Sequence, residues 1–187
     1  MDRRSFLRLG LQASAGIFVA QAIPAWASIP SSSGPCSSKK GIKNLAFYHT
    51  HTRECLDITY SHNGKYDPKA LHQINRYLRD FRTGEIHPID PEVLDILWQI
   101  QQDIGCDSTY EVISGYRSPK TNAKLRHRSN GVAKRSLHMK GQAIDIRLTG
   151  KKTSTVRDCA IALEAGGVGY YAKSNFVHVD TGRVRTW

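Results

Sequence analysis

Between Ala143 and Leu148 the chain alternates without a break, with Ile144, Ile146 and Leu148 on one side and Ala143, Asp145 and Arg147 on the other. Strict period two over such a run specifies a strand with one buried face and one free face. The carboxylate of Asp145 then stands away from the core. A second run, 176–180, puts Val177 and Val179 on one face and His178 with Asp180 on the other. The two runs bring an imidazole and carboxylates onto the free faces of strands.

The rest of the pattern is mixed. Two β-prone runs near 45–50 and 54–60 lead into Ser61-His62-Asn63-Gly64, which reads as a turn after a hairpin. Leu71, Ile74, Leu78 and Phe81 have helical spacing and predict a helix over 68–81. Asp90-Pro91 supplies a cap and a first-turn proline for a second helix. Its core stripe is Val93, Leu94, Leu97, Trp98 and Ile104, and Gly105 ends it. Val112-Ile113 is a short strand, and Ser118-Pro119 opens a third helix to about His127. A fourth helix is expected over 154–165, and a strand over 168–171. Helices in the first half and strands in the second imply one α+β domain: a small antiparallel sheet with helices packed on one side and the functional face on the sheet.

Residues 1–27 stand outside that pattern. Arg3-Arg4 precede Ser5-Phe6-Leu7, no charge occurs from Leu9 to Ala27, and the stretch closes on Ala25-Trp26-Ala27. A basic start, an apolar middle and a small-x-small end make an export signal, here of twin-arginine type, and imply a periplasmic product. Gln12, Gln21 and Pro24 argue against a membrane anchor, and no later run could form a stable span. Residues 28–42, rich in Ser, Pro and Gly, read as a flexible linker to a domain over 43–187. The net charge is +11, of which three arginines and one aspartate belong to the leader, leaving +9. Export removes nucleic acid as the partner for that charge and favours an anionic wall or surface. The four cysteines, Cys36, Cys55, Cys106 and Cys159, lack the close pairing of a zinc knuckle, and an oxidising compartment permits three disulfide pairings.

The chemistry concentrates late in the chain. His138, Gly141 and Asp145 fall within eight residues, and His178 follows on a strand. Two imidazoles and one carboxylate are a donor set suited to Zn²⁺ with a fourth position open, one ion per chain. Arg117, in Ser-Gly-Tyr-Arg-Ser-Pro, is placed to stabilise an oxyanion, since its charge persists at any working pH. The other histidines, including the strand pair His49 and His51, read as structural or exposed. The basic run Lys124, Arg126, Arg128, Lys134, Arg135 and Lys140 reads as a solvated face or as a grip on acidic peptides.

Ser-Gly-Tyr-Arg-Ser-Pro, then His-x-x-Gly-x-Ala-x-Asp, then Val-His-Val-Asp resembles the M15-type zinc peptidases of bacterial cell walls. The ending Gly-Gly-Val-Gly-Tyr-Tyr and Thr-Gly-Arg-Val-Arg-x-Trp is similar to their exported murein endopeptidase branch, DUF882. The resemblance runs from about residue 43 to the end. It implies ligands at His138, Asp145 and His178, a substrate-polarising Arg117, and hydrolysis of amide bonds in peptidoglycan stem peptides or their cross-links by zinc-activated water. A D,D- or L,D-carboxypeptidase on the same peptides and a catalytically silent wall-binding domain are the alternatives. One position departs from the pattern: many relatives carry a base three residues before the last ligand, where this chain has Asn175. Asp180 is then the nearest carboxylate, as base or as a partner orienting an imidazole.

Overall fold

The structure is a computed structural model that describes residues 41–105, 107–129 and 131–187. The proposed leader, most of the linker, Cys36 and Cys106 lie outside the described residues. Eight strands form one sheet: β1 (Ile42–His49), β2 (Cys55–His62), β3 (Lys65–Tyr66), β4 (Tyr110–Ser114), β5 (Ala143–Leu148), β6 (Gly167–Tyr171), β7 (Phe176–Asp180) and β8 (Arg185–Thr186). Their spatial order is β3-β2-β1-β4-β5-β7-β6-β8. The helices are α1 (Pro68–Tyr77), α2 (Pro91–Ile104), α3 (Pro119–Arg128) and α4 (Thr153–Ala162).

The α+β class and the single domain agree with the sequence pattern, but the sheet is not small and not wholly antiparallel. β1 pairs with β4 in parallel, as does β6 with β8. The physical reason lies in the connections. A parallel pair needs a long crossover, and α1 and α2 supply one between β2 and β4. The two-residue strands β3 and β8 are too short to show a period in sequence.

α2 begins and ends as its sequence requires. Asp90 caps the helix by accepting from the Glu92 amide at 3.1 Å, and Gly105 ends it in the left-handed region at φ 67°. α1 stops at Tyr77, short of the expected Phe81. The Asp80 carboxylate accepts from the backbone amides of Arg82 and Ser118, 3.0 and 2.9 Å away, which draws the chain out of the helix.

Ala70 and Ile74 of α1, Val93, Leu94, Leu97 and Ile100 of α2, and Val156 and Ala160 of α4 join one core with Leu45, Phe47, Tyr110, Ile144, Ile146 and Val179 of the sheet. Burying each large apolar side chain contributes about 1.5–3 kcal/mol. The alternate residues of β5 and β7 face away from this core. α3 adds no buried apolar side chain to this core; it buries Thr121 and Asn122, and Asn122 meets Arg117.

Candidate metal centre

The free faces of β5, β7 and β6 build the site by register alone. Asp145 lies directly opposite His178, and Gly169 lies opposite His178 on the other side. Directly paired residues put their side chains within reach of each other across the sheet. His138 arrives from outside the sheet, on a short 3-10 turn, Leu137–Lys140. That turn ends on Gly141 at φ 66°, where an added Cβ would overlap the Pro88 carbonyl oxygen. A glycine is required there by both the backbone angle and the space. The Gly141 carbonyl in turn accepts from the Asp90 amide at 2.9 Å, which ties the turn to the start of α2.

The three expected ligands converge. His138 Nε2 and His178 Nδ1 are each close to Asp145 Oδ1, at 3.2 and 2.8 Å, and are 3.2 Å from one another. The remaining ring nitrogens are committed elsewhere. His138 Nδ1 donates to the Gly115 carbonyl at 2.7 Å, and His178 Nε2 donates to Asp180 Oδ2 at 3.0 Å. With both rings neutral, two nitrogen lone pairs and a carboxylate oxygen point at one spot, with no hydrogen among them. A cation at that spot would relieve the repulsion among them. Donor atoms held tetrahedrally at zinc's bond lengths stand roughly 3.3 Å apart, close to the spacing seen. The donor set therefore fits Zn²⁺, and among the described residues this is the one His/Cys/Asp/Glu group of the kind that could hold a metal.

Charge in the trio follows the same logic. Burial alone would raise the Asp145 carboxyl, but His138 and His178 hold it well below the usual carboxylate range. Burial lowers His138, keeping its ring neutral. Burial would also lower His178, but its bonds to Asp145 and Asp180 overcome that and push it up to about 9. Without a metal, the cation is thus a proton on His178.

Asp180 sits behind the trio, against the far nitrogen of His178. It is fully buried, and five donors meet its two oxygens. The Gly167 and Gly182 amides and Arg185 Nη1 bond Oδ1 at 3.2, 2.8 and 3.0 Å. His178 Nε2 and Arg185 Nη2 bond Oδ2 at 3.0 and 2.6 Å. These bonds overcome the upward effect of burial and hold the carboxyl well below the usual range, a poor proton acceptor. Of the two roles open to it in sequence, the geometry matches imidazole orientation. Asn175 supplies no base either. Its side chain turns away from the metal group and accepts from Thr153 Oγ1 at 2.9 Å.

Arg117 reaches the centre from the turn after β4. Its Nη2 is 3.6 Å from Asp145 Oδ2 and 3.4 Å from Ser114 Oγ, and its Nη1 is 3.5 Å from Asn122 Oδ1. The turn is pinned by Asp80, which accepts from the Ser118 amide, and by the Arg117 amide donating to the His138 carbonyl at 3.1 Å. Burial would raise Asp80, but bonds from Thr121, Ser118 and Arg82 bring it down to about 2.

Two contributors were not assigned roles by sequence reasoning, although they belong to the ending that carried the resemblance. Arg185 forks onto Asp180. Trp187 lies 5.3 Å from the His178 ring and donates from Nε1 to the Tyr171 hydroxyl at 3.0 Å. A side chain at Gly169 would come within 2.7 Å of that indole, which accounts for the glycine. Asp80 gave no signal in sequence, since its partner Ser118 is 38 residues away.

The other histidines stay outside the centre. His49 is fully buried and accepts through Nδ1 from the His51 and Thr52 amides, and His51 stacks on Phe81 at 4.3 Å. A cavity of about 450 Å³ opens onto the metal group, lined in part by Arg117, Arg135, Tyr171, Phe176 and Trp187.

The comparisons agree with the geometry. The Peptidase_M15_2 family model, described as peptidoglycan L,D-endopeptidase MepK, matches residues 37–187. The chain belongs to this M15-type peptidase family. It is similar to the peptidoglycan L,D-endopeptidase MepK of Escherichia coli strain K12, 39% identical over 189 residues, covering 100% of this chain and 97% of that one. It is also similar to the probable peptidoglycan L,D-endopeptidase MepK of Haemophilus influenzae, 44% identical over 144 residues, covering 76% of this chain and 77% of that one. Within the matched region, Arg185 and Trp187 line the cavity and pack against Gly167 and Gly169 of β6.

Proposed function

We propose that this protein is a zinc-dependent murein endopeptidase that hydrolyses amide bonds in the peptide cross-links of peptidoglycan, holding one Zn²⁺ through His138 Nε2, Asp145 Oδ1 and His178 Nδ1. The observation that carries the metal is the convergence of three lone pairs whose ring partners are already bonded away from the centre. The names of the relatives support peptidoglycan as the substrate. Zinc held there supplies Lewis acidity and lowers the pKa of water from about 15.7 to about 7.

The chain's own residues do the rest. His138 and His178 are fixed in the tautomers that present Nε2 and Nδ1 to the ion, by Gly115 and Asp180 respectively. Arg117, partly buried beside Asp145, presents Nη2 to the cavity and polarises the carbonyl of a bound peptide. The leader-like pattern of residues 1–27 supports a periplasmic site of action. Among the described residues, no helix is long and apolar enough to cross a membrane.

Metal analysis of the purified mature protein, combined with digestion of intact sacculi, tests this reading. Zinc near one per chain and conversion of cross-linked dimers to monomers are expected, with both lost in His178→Ala. Release of single amino acids with dimers intact would make the enzyme a carboxypeptidase. Equal behaviour of the wild type and His178→Ala would remove the catalytic reading.

A further inference from the structure

Residues 112–144 contain eight lysines and arginines and no aspartate or glutamate. They run from β4 through α3 to the 3-10 turn that bears His138, and Ser129, Gly131, Val132, Ala133, Arg135 and Ser136 line the cavity. The carboxylates on the cavity lining are already engaged. Asp145 faces two imidazoles and Arg117, while Asp180 faces His178 and Arg185. Of the three lining arginines, Arg117 and Arg185 therefore have acidic partners. Arg135 is exposed, and no described carboxylate forms an ion pair with it. Arg135 thus brings to the cavity lining a cationic side chain that no described carboxylate pairs with. The same lining carries an aromatic surface: Tyr171 and Phe176 stack at 4.5 Å, and Trp187 bonds to Tyr171.

We propose that Arg135 is a specificity-determining residue that takes a free carboxylate of the substrate peptide beside the scissile amide, while Tyr171, Phe176 and Trp187 pack the aliphatic chain carrying it. This rests on the endopeptidase reading and names the chemical class it acts on: a cross-linked peptide with an unblocked carboxylate next to the bond cut. Guanidinium is suited to the task because it binds a carboxylate in two parallel hydrogen bonds, and no protein group competes for it here. Arg117 cannot serve, because its Nη2 is directed to Asp145 and the carbonyl position.

The test uses two cross-linked muropeptides that differ only in amidation of the carboxylate flanking the bond. Cleavage and calorimetric binding are measured with the full mature protein. Wild type is expected to prefer the carboxylate form by roughly tenfold, mainly through KM and Kd. Arg135→Gln should bring the value on the carboxylate form down to that on the amidated one, and Arg135→Lys should recover part of the difference. Lys69→Gln, an exposed basic change on α1 away from the cavity, should keep the full preference. Wild type treating both peptides alike, or Arg135→Gln retaining the preference, would overturn the proposal. If wild type cleaves neither peptide, the endopeptidase reading fails. The binding preference and its loss in Arg135→Gln then still decide the role of Arg135.

Discussion

Replacing Asp180 with asparagine exchanges one carboxylate oxygen for an NH₂ group and should alter the metal site without touching it. Three donors meet Oδ1 and two meet Oδ2. The amide oxygen of the introduced asparagine is best spent on the three-donor side, so its NH₂ group faces His178 Nε2 and Arg185 Nη2. Two N–H groups cannot share a hydrogen bond. The imidazole relieves the clash by moving its proton from Nε2 to Nδ1, and this removes the lone pair that Nδ1 offers the metal. Loss of an outer partner of this kind weakens metal affinity by about 10–100-fold, or roughly 1.4–2.7 kcal/mol. The metal-free protein should also lose stability, on the order of 1–3 kcal/mol. Water reaches Arg185, whose side chain is 32% exposed, and limits that loss. Zinc affinity by competition with a chromophoric chelator gives the first number, and thermal unfolding in EDTA gives the second. Nitrogen NMR of the His178 ring in the metal-free variant reads the tautomer directly. An affinity within twofold of wild type would refute the orienting role. So would a lost affinity with the ring still protonated at Nε2.

Further outcomes follow from other parts of the structure. Arg117→Ala should lower kcat by about 10²–10³-fold with little change in KM; a raised KM at constant kcat would make Arg117 a binding group only. Gly141→Ala should destabilise the fold by about 2–3 kcal/mol, because φ is positive and a Cβ would overlap the Pro88 carbonyl, and an unchanged melting temperature would contradict this. Burial, and then the neighbouring His51, lowers His49 to about 4, whereas an unfolded histidine titrates near 6.5. The unfolded chain therefore binds the extra proton between those values. Stability from His49 is complete above about pH 6.5 and is lost as pH falls towards 4. Urea midpoints at pH 7 and pH 4.5 should differ less in His49→Asn than in wild type, by on the order of 2 kcal/mol. Equal pH dependence in the two proteins would count against a neutral buried His49.

Much of the site was legible because its parts obey local rules. The alternation at 143–148 and 176–180 fixed which residues of β5 and β7 leave the core, and the cap-and-proline pairs at Asp90-Pro91 and Ser118-Pro119 marked two helix starts correctly. The grouping of His138, Gly141 and Asp145 within eight residues could be picked out from sequence. The extent of the sheet could not, since β3 and β8 are two residues long and parallel pairing depends on where a distant crossover returns. The early end of α1 was equally hidden, because Asp80 is drawn to the amide of Ser118, a competitor that helical spacing does not register.

Residue type and spacing were enough to pick out the candidate donors, two imidazoles and a carboxylate, and the faces on which Asp145 and His178 stand, because side-chain direction in a strand follows residue parity. Which ring nitrogens face the centre, and what holds them there, depends on contacts between distant parts of the chain. Pairing Asp145 with His178, packing the Gly115 carbonyl on His138, and closing Arg185 and Trp187 over Asp180 and Gly169 are long-range events. They bring the three candidate ligands together, and they hold the Asp180 carboxylate against His178 Nε2 and Arg185.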